Sequence, residues 1–152
     1  MQQRIVGDFI KAMTVTFFGH SDTPECVRDI LRIALIDLII NHDSKTFYVG
    51  NHGNFDKMAK SILNELSVIY PHITYAVVLA YMPSKNNNDD LSPTIYPEGL
   101  ETVPQRFAIC KRNEWMINHS DVVITYVNRN FGGAAKYKKY AERKNKTVIN
   151  LI

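Results

Sequence analysis

The sequence predicts an α/β chain, a Rossmann-like three-layer sandwich with a mostly parallel sheet of about five strands and helices on both faces. Three observations predict it. Short runs and longer amphipathic stretches alternate from Thr14 onward. The short runs are rich in Val, Ile, Thr, Tyr and Phe, the residues that suit buried parallel strands. Glycines follow three of them, where the backbone must turn tightly or approach a ligand.

In chain order, residues 1–12 are expected to form a short helical extension. Thr14–Phe18 (TVTFF) is the first strand, and Glu25–Asn41 the first helix, with Thr23 as cap and Pro24 in its first position. Thr46–Val49 (TFYV) and then Asn54–Ile69 follow, the helix capped by Asn54 with Asp56 in its first turn. Thr74–Ala80 (TYAVVLA) is the third strand. Residues 81–103, with SKNNNDD and SPTIYPEGL, read as a long loop, partly ordered by Ile95, Tyr96 and Leu100, that acts as a lid. Pro104–His119 is a helix begun by its proline, with Trp115 and Met116 in the core. Val122–Val127 (VVITYV), the helix Ala134–Lys144 and the strand Thr147–Leu151 (TVINL) complete the pattern.

The 152 residues, 45% apolar and 22% charged, fit one domain over 1–152. The apolar runs Ile33–Ile40 and Ala76–Ala80 fall far short of the roughly 20 residues that cross a bilayer, so no membrane partner is expected. Arg4, Asp8 and Lys11 interrupt Met1–Met13, unlike a secretory signal, which predicts a soluble, cytoplasmic protein. Cys26 and Cys110 fall in predicted helices and read as reduced thiols. The net charge of +3 comes largely from Lys136–Lys146; a solvated helix face explains that run better than a nucleic-acid contact.

Ligands of open parallel sheets bind beyond the carboxyl ends of the strands. That rule selects GHSDT (Gly19–Thr23), GNHGN (Gly50–Asn54), the long loop and NRNFGG (Asn128–Gly133). Gly132 and Gly133 open a helix whose free amides and dipole can hold a phosphate or carboxylate, with Lys136 one turn in, although the pair equally serves a tight turn. Asp56 can meet a ribose hydroxyl or simply favour the helix start. His20, Ser21 and Asp22 are adjacent and so cannot form a triad, leaving capping and ligand contact as roles. His20 and His52 with Asp22 or Asp56 lack metal-ligand spacing; no metal and no cofactor is called for.

Four segments, TVTFFGHSDTP, GNHGNFD, RFAICKRNEWMINHSDVVITYV and FGGAAK, stand out together. With them the chain resembles, over nearly everything after Met13, the SLOG superfamily, the Rossmann-like group that includes DNA-processing protein A, the Lonely Guy phosphoribohydrolases and the YpsA-like proteins. The resemblance implies a nucleotide or nucleotide-derived signal over the glycine turn. Arg112 and Asp121 match an arginine and an aspartate of the phosphoribohydrolase branch, and Gly132 and Gly133 the first glycines of GGxGTxxE. Ala135, Lys136 and Lys139 replace its third glycine, threonine and catalytic glutamate. The pattern is therefore closer to the YpsA-like branch.

The reading that follows is a sensor, carrier or sequestering protein, with Gly19, His20, Ser21, Asp22, Gly50, Gly53, Asn54, Arg112, Gly132, Gly133 and Lys136 around the ligand. A nucleoside-monophosphate N-glycosidase is the alternative, with Arg112 on the phosphate and a substitute carboxylate from Glu98, Glu101 or Glu114. A DNA-binding accessory role ranks last. Self-association is expected, if at all, through the helix face bearing Trp115.

Overall fold

The structure, a computed structural model, describes residues 12–83 and 92–152. The expected extension over 1–12 lies outside the described residues except for Ala12. Among the described residues six strands make one parallel sheet: β1 Met13–Gly19, β2 Ser44–Val49, β3 Thr74–Val78, β4 Thr94–Ile95, β5 Val122–Tyr126 and β6 Thr147–Asn150. Their spatial order is β4-β3-β2-β1-β5-β6. The helices are α1 Val27–Asn41, α2 Gly53–Ile69, α3 Ala108–Asn118 and α4 Gly133–Arg143.

Strand alternation builds the layers. Val15 and Phe17 of β1 face α1 and α2, packing with Leu31, Leu35, Phe55, Ile62 and Leu66. Phe18 points the other way, into a second cluster with Met116 and Ile117 of α3 and Tyr137 of α4. The buried stripe of α2, Phe55, Met58, Ala59, Ile62, Leu63 and Leu66, follows helical spacing. Each large apolar side chain so buried contributes about 1.5–3 kcal/mol. The α/β sandwich with helices on both faces is thus the observed architecture.

Three sequence expectations change. The segment 81–103 contributes a sixth strand: Leu79 N–H donates to Ile95 O (2.8 Å) and Val77 N–H to Pro93 O (2.8 Å), placing β4 on the sheet edge. Leu100 is buried after it in a short 3-10 turn, and Tyr81 Oη donates to Gln105 O at 3.3 Å. Residues 84–91, part of the expected lid, lie outside the described residues. Thr23 does not cap α1; its hydroxyl donates to His20 O. The amides of Val27 and Arg28 bond to Pro24 O and Glu25 O, so the first turn needs no side-chain acceptor, and Cys26 sits at the cap position, exposed. Asn54 does not cap α2, which starts one residue earlier from His52. No helix among the described residues is long and apolar enough to cross a membrane.

Candidate functional site

The neighbours of β1 are β2 on one side and β5 on the other, so the connections leave in opposite directions and a crevice opens at the strand ends between them. A cleft of about 240 Å³ occupies that point.

The loop after β1 forms one wall. Gly19 has no room for a Cβ, which would overlap the Phe55 ring. His20 is 4% exposed, and its Nε2 accepts the Asn128 amide at 3.2 Å, so the ring is neutral with its proton on Nδ1. Burial, then Arg129, lower its pKa. Ser21 lines the cleft, and its carbonyl accepts the Asn54 amide at 2.8 Å, tying the loops after β1 and β2 together.

Gly53 makes that junction possible. It has φ +85°, and an added Cβ would lie 2.6 Å from Ser21 Cα. Gly50 faces Asp56, whose Oδ2 would be 2.7 Å from a Cβ there. Asp56 is half-buried, lines the cleft and accepts the His52 amide at 3.0 Å. Burial lifts its pKa to about 6, against the His52 hydrogen bond and the Arg112 charge.

Arg112 forms the floor, brought in by the inner face of α3, and is 2% exposed. Nη1 donates to Val78 O (2.8 Å) and Asn51 Oδ1 (3.1 Å), Nε to Asn113 Oδ1 (2.7 Å), and Nη2 lies 3.3 Å from His52 Nδ1. The guanidinium only donates, so that His52 nitrogen accepts and the ring is neutral. Every one of these acceptors is uncharged. Burial lowers the Arg112 pKa, with Asp56 the largest opposing influence.

The opposite wall is the loop after β5 and the start of α4. Gly132 has φ +91°, and neither it nor Gly133 has any atom within 4 Å of an added Cβ, so both backbones face open space. Tyr137, one turn into α4, is 4% exposed and stacks on Phe18; its hydroxyl has no partner in hydrogen-bonding geometry. Cys110 and Asn113 are its polar neighbours, and burial raises its pKa. Arg129 lines the cleft and pairs with Asp22 through both terminal nitrogens, at 2.9 and 3.3 Å.

Of the residues singled out from sequence, Gly19, His20, Ser21, Arg112, Gly132 and Gly133 line this one cleft. Gly50, Gly53 and Asn54 stand behind its wall as packing and loop-joining positions. Asp22 reaches it only through Arg129. Lys136 turns away: Nζ donates to Cys110 Sγ at 3.5 Å and lies over the Tyr137 ring. Asp121 is at the other end of β5, where its carboxylate accepts the Thr14 amide at 2.9 Å. Glu98, Glu101 and Glu114 do not line the cleft, and neither does any described residue of 81–103. Among the described residues no three His, Cys, Asp or Glu converge for a metal. Sequence reasoning missed Arg129 and Tyr137. An arginine in a polar loop and a tyrosine at helical spacing carry no local signal; only β5 and α4 in space bring them in.

No family model matches the chain, and no curated protein does. Among solved structures it is similar to DNA processing protein A from Helicobacter pylori, described for its single-stranded DNA binding mode, at 15% identity and a TM-score of 0.61. The match covers 90% of this chain and 64% of that one, so the chain spans just under two thirds of its neighbour. The likeness shows a shared Rossmann-like fold; nothing singles out the YpsA-like branch.

Proposed function

We propose that the cleft binds a phosphate-bearing, nucleotide-derived ligand, which the protein senses, carries or sequesters. The observation that carries this is Arg112, a buried guanidinium whose hydrogen bonds all go to uncharged acceptors. Buried charges are ordinarily paired in direct contact, whereas Arg112 has only the nearby Asp56, with no ion-pair contact between them, to oppose its charge. A phosphate supplies that contact, receiving hydrogen bonds from the first amides of α4 as well.

Calorimetric titration with AMP and with adenosine tests the reading, followed by chromatography of the mixtures. AMP is expected to bind at least about tenfold more tightly than adenosine and to be recovered unchanged. Gly133→Asp should remove most of that preference. The aspartate meets open space and suits a helix start, so the fold survives while a negative charge occupies the anion position. Equal affinity for AMP and adenosine would defeat the proposal.

Two observations favour second readings. Asp56 is a carboxyl lining the cleft with a pKa near 6, able to give a proton to a departing base as water adds to the sugar C1′. Free adenine accumulating in the same chromatogram supports that N-glycosidase. Lys136, Lys138, Lys139 and Arg143 on α4 add a basic surface, and the structural neighbour binds single-stranded DNA. DNA affinity that vanishes by moderate salt, equally for every sequence, counts against a specific DNA role.

A further inference from the structure

Beside the cleft a groove of about 480 Å³ runs between the loop after β5 and the outer side of α4. Ala135, Lys138, Lys139 and Glu142 recur along it at helical spacing, while Ala134, Tyr137 and Ala141 turn to the core. Lys138 is engaged by Glu142 at 3.1 Å, and Lys139 is exposed.

Arg129 lines both spaces. Its terminal nitrogens hold Asp22, yet its Nε–H is buried without a hydrogen-bond partner, the kind of donor that folded proteins rarely leave unused. Next to it Phe131 is 67% exposed, with its ring centre 5.4 Å from the guanidinium carbon. An aromatic face this open beside cationic groups is a stacking platform for a base. The cleft alone, at 240 Å³, is also smaller than the roughly 300–1,000 Å³ of ordinary ligand pockets. A ligand held there extends outward, and Arg129 marks the way.

We propose that cleft and groove form one two-part site, joined at Arg129, for a ligand of two nucleotide units linked by a phosphodiester. The terminal phosphate sits in the cleft, which rests on the phosphate reading above. The linking phosphodiester lies at Arg129, the second base stacks on Phe131, and Lys139 faces the second unit. A free dinucleotide and the 5′ end of a single strand share this chemistry.

Calorimetric titration of the full chain with AMP, 5′-phosphorylated diadenylate and 5′-phosphorylated hexa-adenylate tests it. Diadenylate is expected to bind about tenfold more tightly than AMP, within the range for one stacked base. Phe131→Ala and Lys139→Gln alter exposed side chains and should leave AMP affinity unchanged. Together they should cut the diadenylate advantage to below about threefold. A wild type that binds AMP but gains nothing from the second unit overturns the two-part site and leaves the phosphate reading standing. So does an advantage that survives both substitutions. Failure to bind AMP at all defeats the cleft reading and this proposal with it. A hexanucleotide much tighter than the dinucleotide identifies a strand end as the source; equal affinities identify a free dinucleotide.

Discussion

Asp56 shows how one carboxyl couples the site to the fold. Its folded pKa, about 6, lies above the unfolded value of 3.8, so the folded chain binds more protons between them. Stability is therefore fully retained below pH 3.8 as far as this group is concerned, and is lost as pH rises through 6. The loss is about 2 kcal/mol, discounted for the side of the carboxyl that faces the cleft. His20 and His52, whose pKa values are lowered, act oppositely, destabilising as pH falls below 6.5. Asp56→Asn keeps an oxygen for the His52 amide and removes the charge. Thermal unfolding is expected to find the variant more stable than wild type at pH 8 and equal to it at pH 4; a constant difference across that range would refute the assignment. Asp56 was visible in the sequence as a first-turn acid, but its perturbation was not. That comes from its enclosure in the folded chain, against which the charge of Arg112, 56 positions away in the sequence, works.

At the scale of elements, the loops after β1, β2 and β5 were legible because glycine marks where a backbone must do what other residues resist. Gly53 is the clearest instance. Its positive φ and its contact with Ser21 fasten the start of α2 to the β1 loop. Gly53→Ala is expected to cost about 2 kcal/mol, from left-handed strain and the clash, and chemical denaturation measures it. A loss under about 0.5 kcal/mol would mean that the two loops are not held this way. The long helices were equally legible from their apolar stripes. β4 was not, since two residues cannot display a period, and its pairing is decided by the free edge of β3. The expected caps at Thr23 and Asn54 failed for another reason. Both residues had the right chemistry but the wrong place: Thr23 stands three residues before the cap position Cys26, and Asn54 already lies inside α2.

For the molecule as a whole, the central place of β1 puts the β1 and β5 loops on opposite sides of one crevice. The sequence predicted the sheet class and singled out the strand ends at which the cleft lies, because alternating elements leave few alternatives. It could not show that Asp22 and Arg129, separated by 107 positions, would meet across that crevice. Their pairing has a consequence for counterions. Arg129 and Asp22 together carry no net charge, so on the two-part reading a phosphodiester arriving there exchanges with Asp22 and releases fewer of its own condensed counterions than one met by a free cation. Among the described side chains that line the groove of Lys139, the carboxylate is that of Glu142, which Lys138 engages. Affinity measured between 50 and 200 mM salt should therefore fall less steeply than the count of cations lining the two spaces implies, and Asp22→Asn should steepen it. On the two-part reading, the ion pair that bridges the sheet would make the grip on a phosphodiester less dependent on the ionic strength around it.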